Sequence, residues 1–213
     1  MIFLRSLAGL VLLLAALGVH AQSTPANVKA IEGKTYRLIP QQPVADPARI
    51  EVIDFFFYGC PYCNDMRPML ERWRKALPAD VVFRRAPAVR RDTWAPLART
   101  YYTLEALGEV ERLHEEVYKS YHDEELSMSQ PDVMASWAQR HGIDRARWLE
   151  VYNSDEVTRA VEQAKRMTQD YDIQGTPSVV VNGRYLTSSG MTDDVKLVVP
   201  VAEQLLRMAR ERR

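Results

Sequence analysis

Only two cysteines occur in this 213-residue chain, and both fall in one four-residue stretch, Cys60 to Cys63. No network of bridges can therefore staple distant parts of the fold together. A ring closed between the two removes little entropy from the unfolded chain. An excess of charge is lacking as well, since Lys plus Arg and Asp plus Glu each number 28. No strong field singles out nucleic acid or an anionic membrane surface as a partner. Histidine is scarce; beyond the N-terminal region only His114, His122 and His141 remain. A zinc site commonly needs a second Cys pair or nearby His. Neither is present in sequence around Cys60 and Cys63, so metal is the weaker reading and no metal ligand is assigned. Each of the three histidines reads as a surface or partly buried polar residue. Internal repeats and low-complexity linkers are absent.

Long apolar runs are also few, and the longest stands apart from the rest. Met1 to Ser6 carries one charge, Arg5, and Leu7 to Val19 is almost wholly apolar. Val19-His20-Ala21 then places small residues at the two positions that a signal peptidase reads. This pattern predicts a cleavable secretory signal over residues 1–21. The run is short for a membrane anchor of roughly 20 residues. Removing the signal takes away Arg5 and leaves a net charge of −1. Export bears on the cysteines. Paired cysteines in an oxidising compartment are mostly structural. A chain of this size with 46% hydrophobic residues can bury a core without a staple. Chemistry is therefore the stronger reading of the pair.

Lys34 to Ile39 reads as a first strand, followed by a loop marked by Pro40, Pro43 and Pro47. Glu51 to Tyr58 is the strongest strand. Val52, Ile53 and Phe55 to Phe57 give it the near-continuous apolar run of a strand buried on both faces. A helix is expected from about Cys60 to Leu77, with Pro61 at its first position, where a missing N–H costs nothing. Pro68 falls inside that helix. Val81 to Arg85 reads as a third strand, completing a strand–helix–strand unit. From Thr93 to about Gln169 the apolar spacing is helical throughout. Strands return at Ser178 to Val181 and Arg184 to Thr187, joined by the turn signal Asn182-Gly183. Asp194 to Arg212 closes the chain as an amphipathic helix.

The helix start gives Cys60 and Cys63 their chemistry. They lie about one turn apart, so their sulfurs can close a ring. The N-terminal N–H groups and helix dipole favour a thiolate at Cys60 and lower its pKa. Cys63 sits deeper in the helix. The division of labour that follows is Cys60 as nucleophile and Cys63 as buried resolving partner. Asp54, six residues before Cys60, is a carboxylate within an apolar strand. Burial raises the pKa of such a group, which suits a proton acceptor for Cys63, acting through water. The bland alternative puts Asp54 on an exposed face or strand end. Tyr58 and Tyr62 flank the cysteines. A role in an apolar peptide-binding surface is set against packing for both. Trp73, Trp94, Trp137 and Trp148 read as helix packing. Arg84, Arg85, Arg90 and Arg91 read as a solvated cluster.

The ordered set of strand, Cys60-Pro61-Tyr62-Cys63 helix, Gly175-Thr176-Pro177-Ser178 and the Asn182-Gly183-Arg184-Tyr185 hairpin resembles the thioredoxin superfamily. More closely, the chain is similar to the DsbA family of periplasmic thiol–disulfide interchange proteins. Tyr58-Gly59-Cys60-Pro61, the helical insertion and Asn182 to Tyr185 carry that likeness over nearly the whole mature chain. The resemblance implies an α/β protein: a thioredoxin fold with an inserted all-helical domain. The thioredoxin-like domain then comprises residues 22–92 and 165–213, and the inserted domain residues 93–164.

It also implies that Pro177 is cis and faces the disulfide. Thr176 then offers backbone groups to a substrate peptide, with Tyr58 beside it, and Asp54 takes the place of the superfamily's buried acid. The implied activity is a periplasmic dithiol oxidase that donates the Cys60–Cys63 disulfide to reduced, newly exported proteins. The implied reoxidant is a DsbB-type membrane quinone reductase. No organic cofactor is implied, and a monomer is expected. The chain departs from the best-known members at Tyr62, where they have His, and at Thr176, where Val is frequent. Pro61 and Tyr62 are accordingly the residues expected to tune the thiolate. Rival readings are a disulfide isomerase or reductase on the same fold, and a non-catalytic peptide-binding chaperone.

Overall fold

A computed structural model describes residues 28–212. The expected signal segment lies outside the described residues. Five strands form one sheet: β1 (Arg37–Leu38), β2 (Ile50–Phe56), β3 (Val81–Pro87), β4 (Ser178–Val181) and β5 (Tyr185–Ser188). Their spatial order is β1-β5-β4-β2-β3. Only β2 and β3 run parallel, joined by helix α1 (Pro61–Ala76); the other neighbours are antiparallel. The central place of β2 explains its apolar sequence, since all seven of its residues are buried.

Strand periodicity sorts β2 into two faces. Ile53 and Phe55 pack with Val180, Leu186, Tyr171 and Ile173. Ile50 and Val52 pack on the opposite side with Met66 and Leu70 of α1 and with the C-terminal helix. Asp54 and Phe56 share that second face. Phe56, and Tyr58 beyond the strand end, reach into a separate core built by the helical block. This block contains α2 (Ala95–Ala106), α3 (Val110–His122), α4 (Pro131–Arg140), α5 (Arg145–Tyr152) and α6 (Asp155–Asp170). Trp137 and Trp148 are fully buried within it. Asp144 and Ser154 cap α5 and α6 by accepting from the backbone N–H groups of Arg147 and Val157. The fold is thus a thioredoxin fold with an inserted helical domain. Helix α6 is continuous across residues 164 and 165 and carries the chain back to the sheet.

Several elements differ from the sequence expectation, each for a local reason. The first strand shrinks to Arg37–Leu38 because Thr35 folds the preceding segment into a turn, accepting from Ile31 N–H at 2.8 Å. Pro68 does not interrupt α1, which is one helix from Pro61 to Ala76. The closing helix α8 (Val198–Glu211) starts late. It is preceded by the short helix α7 (Ser189–Thr192) and by a 3-10 turn, Val195–Leu197, capped by Asp194.

The β4–β5 turn is less tolerant than most. Asn182 and Gly183 both have positive φ, at 52° and 64°. A Cβ at Gly183 would sit 2.4 Å from the backbone oxygen of Gln42. Gly183→Ala is therefore expected to lower unfolding stability by roughly 2–4 kcal/mol. Urea unfolding checks this, and an unchanged midpoint would contradict the tight contact.

Candidate active site

Strand β2 ends at Phe56, and the chain turns at Gly59 directly into α1. Cys60 is the N-cap residue, with extended backbone, and Pro61 opens the helix. Gly59 is required by space: a Cβ there would lie 2.7 Å from the Phe57 ring. That ring is stacked on Trp94 at 4.1 Å between centroids. Trp94 therefore braces the approach to the cysteines as well as packing.

Both cysteines are free thiols in this structure. Cys60 is partly exposed, whereas Cys63 is 3% exposed. The two are held at opposite ends of the thiol range. The Cys60 pKa is lowered to about 6, chiefly because the Cys63 thiol donates a hydrogen bond to its sulfur. Partial burial opposes this, while the Thr176 side chain and the backbone N–H groups of Cys63 and Tyr62 add to it. Those N–H groups lie in the first turn of α1, where the helix dipole favours a negative charge. Burial pushes the Cys63 thiol well up, and the negative charges of Cys60 and Asp54 push it further.

Across from Cys60 lies the loop before β4. The Thr176–Pro177 peptide bond is cis. The Cys60 thiol donates to the Thr176 carbonyl at 3.2 Å. A groove of about 440 Å³ opens beside this contact, lined by Tyr62, Thr176, Ser178, Ser188, Met191 and Arg37, among others. Tyr62 stands at its edge, 58% exposed. A larger cleft of about 540 Å³ lies against β3 and helices α2, α3 and α6, and neither cysteine lines it. Size here does not mark the chemistry.

Beneath the cysteines is a cavity of about 10 Å³, lined by Asp54, Cys63, Arg67, Glu71, His114 and Tyr118 together with apolar neighbours. That is space for about one water molecule. Asp54 is 2% exposed, and its Oδ1 has no hydrogen-bond partner within the protein. Its pKa is raised to about 7 by burial, with Arg85 pulling it down and Glu71 pushing it up. Arg85 is itself locked to Glu71 at 2.5 Å and Glu111 at 3.0 Å. The Arg84–Arg91 stretch is therefore not simply a solvated cluster: Arg85 is a buried, paired charge near the site.

Two further expectations need correction. Tyr58 does not form an exposed peptide-binding surface. It follows Asp54 and Phe56 at the strand period, so its side chain turns into the helical core and is 1% exposed. Its hydroxyl is hydrogen-bonded to His114 Nδ1 at 2.9 Å, and its carbonyl to His122 Nε2 at 2.8 Å. His114 is also no surface residue. It is 5% exposed, and burial together with Arg85, Arg67 and Arg74 lowers its pKa far enough to keep it neutral. The helical period of α3 placed His114 beside Leu113 and Val117, but no local signal pointed to its partner 56 residues away.

A dithiol at a helix N-terminus, one sulfur activated and one buried, packed against a thioredoxin-like sheet, defines a thiol–disulfide oxidoreductase. The comparisons narrow this. Residues 80–198 match the DSBA-like thioredoxin domain family. The thiol:disulfide interchange protein DsbA of Azotobacter vinelandii is 36% identical over 197 residues, covering 92% of this chain and 91% of the relative. That of Bordetella pertussis is 35% identical, covering 92% and 94%. The crystal structure of Pseudomonas aeruginosa DsbA superposes with a TM-score of 0.80 at 32% identity, covering 87% of this chain and 95% of that one. The chain belongs to the DsbA family of thiol:disulfide interchange proteins.

Proposed function

We propose that the oxidised Cys60–Cys63 pair donates its disulfide to reduced proteins newly exported to the periplasm. The observation that carries this reading is the asymmetry of the two thiols, Cys60 held near 6 and Cys63 held high. Roughly nine in ten Cys60 side chains are then thiolate at pH 7. A low leaving-group pKa, of which DsbA proteins are themselves the standing example, favours giving a disulfide away.

The exchange balances as follows. A substrate thiolate attacks Cys60 Sγ, and the Cys60–Cys63 bond breaks. Cys63 leaves with the electron pair and takes a proton from Asp54 through the small cavity. The substrate's second thiol loses its proton and attacks the substrate sulfur of the mixed disulfide. Cys60 leaves as a thiolate. Two substrate thiols have become one disulfide, and two electrons rest on Cys60 and Cys63. Asp54 is left ionised, and it takes the proton of Cys63 back when the pair is reoxidised. A DsbB-type membrane quinone reductase is the reoxidant. The protein's own disulfide is its only redox group, and the protein works as a monomer.

Pro61 and Tyr62 tune Cys60 through the backbone they place at the helix start. Thr176 and Pro177 dock the extended substrate beside the nucleophile. Residues 22–92 with 165–213 carry the chemistry, and residues 93–164 wall in Asp54 and Cys63 from one side. Alkylation of reduced protein against pH, paired with equilibrium against glutathione, tests the reading. Half-maximal alkylation of Cys60 is expected near pH 6. Titration near the free-thiol value of about 8.5, with a pair as reducing as thioredoxin, would sink it.

A further inference from the structure

The groove beside Thr176 has a chemical bias. Its lining includes four hydroxyl side chains, Thr176, Ser178, Ser188 and Ser189, and the amide Gln174. Arg37 is the one charged residue in that lining, and no carboxylate faces it there. The sheet register explains how a residue so distant in sequence arrives at the site. Arg37 on β1 is opposite Leu186 on β5. Leu186 and Ser188 share a face, and Ser188 is opposite Ser178 on β4. Ser178 follows Thr176-Pro177 directly. One sheet face thus leads from Ser178 to Arg37 across two strand spacings, roughly 10 Å, and two residues along β5, roughly 7 Å, or roughly 12 Å in all. An extended peptide covers that span in three to four residues at roughly 3.3 Å each.

We propose that Arg37 selects substrates that carry a carboxylate side chain three to four residues from the reacting cysteine. The inference rests on the dithiol-oxidase reading and names the kind of peptide that the site prefers. Arg37 is held in place rather than free to swing. Its Nη2 donates to the Asp172 carbonyl at 2.6 Å and to the Asp172 carboxylate at 2.8 Å. Asp172 does not line the groove; it faces a neighbouring cavity with Gln169 and Arg90. The anchor is tied to the groove wall, since Gln174 also donates to the Asp172 carboxylate. A guanidinium has five N–H donors in a fixed fork, and the Arg37 side chain is 30% exposed. Its remaining donors and the serine hydroxyls suit a carboxylate acceptor. A substrate Lys or Arg finds no acid in the groove and meets a like charge, which discriminates against it.

The test uses the full mature protein and a set of dithiol peptides. Each peptide carries one Glu, Gln or Lys two, three or four residues to either side of the reacting cysteine. Oxidation is followed as kcat/KM at low salt. A Glu peptide is expected to exceed its Lys counterpart by about tenfold, mainly through KM. Added salt shrinks the ratio because the contact is partly exposed. Arg37→Ala brings the ratio to within about twofold, whereas Arg37→Lys keeps the charge without the fork and retains only part of it. Arg37→Gln replaces Arg37→Ala as the readout if loss of the Asp172 contact unfolds the latter. Dithiothreitol reaches Cys60 without filling the groove, and its oxidation is expected to be equal in all variants. Equal rates for Glu and Lys peptides in the unaltered protein, or a preference that survives Arg37→Ala and Arg37→Gln, overturn the assignment of Arg37. Failure of the unaltered protein to oxidise even dithiothreitol strikes the oxidase reading itself.

Discussion

Cys60→Ser is expected to lower dithiol oxidation by roughly a thousandfold or more, with the fold intact. Cys60 is partly exposed, and no core cluster depends on its sulfur alone, so serine fits the same site. What disappears is the only sulfur that a substrate can reach, because Cys63 is 3% exposed. Cys63→Ser acts differently. It leaves the activated thiolate at Cys60 but no partner to complete a disulfide. Offered a mixed disulfide of a peptide with a single thiol, that variant is expected to retain the peptide on Cys60, because neither Cys63 nor a second substrate thiol is there to release it. Mass spectrometry of the adduct and the rate of peptide oxidation check both statements. Full activity in Cys60→Ser would favour a non-catalytic peptide-binding chaperone over an oxidase.

The second large effect concerns stability and pH. Asp54 has a pKa of about 7 in the folded protein against 3.8 for a free side chain. The folded state therefore holds this proton more tightly than the unfolded chain does. Stability from that difference is fully present below pH 3.8 and is lost as pH rises through 7. Above that window a charged, buried carboxylate costs roughly 4 kcal/mol relative to acid conditions. Asp54→Asn cannot ionise, so its stability lacks this slope. The gap between variant and native protein is expected to shift by roughly 3–4 kcal/mol in the variant's favour between pH 4 and pH 8. Urea unfolding of the reduced proteins across that range measures it. A gap that stays flat with pH means that Asp54 ionises freely. The same substitution removes the proton source for Cys63, so exchange slows while stability rises. A site that is costly to the fold and useful to the reaction is the expected mark of function.

The buried polar groups around it modify this cost without changing its sign. The Arg85–Glu71 pair lies close enough to act on Asp54 in both directions. His114, kept neutral, adds no charge to the cavity it lines. The carboxyl is therefore governed mainly by burial, which is why its proton is exchangeable near neutral pH.

Local features were legible because they are written in neighbouring residues. Cys60 and Cys63 lie three positions apart at a strand–helix junction, and Pro61 suits the first position of such a helix. The charge of Asp54 stood out against an apolar strand, and burial on both faces follows from that same run. Asn182-Gly183 marked a hairpin, although three residues rather than two join the strands. By itself, then, the sequence determined that a dithiol would stand at a helix N-terminus, with one carboxylate in the apolar strand that precedes it. Tertiary structure decided what surrounds it. For Tyr58 the sequence leaves surface and packing open, and the packing of α3 against the end of β2 brings it to His114. The Thr176 carbonyl meets Cys60 from 116 residues away. Arg37 reaches the same groove through two strand pairings. Such contacts leave no period or motif in the chain, because they arise only when separate elements share one sheet. The nucleophile is thus a product of local chemistry, while its proton partner's cavity and its substrate groove are products of the fold.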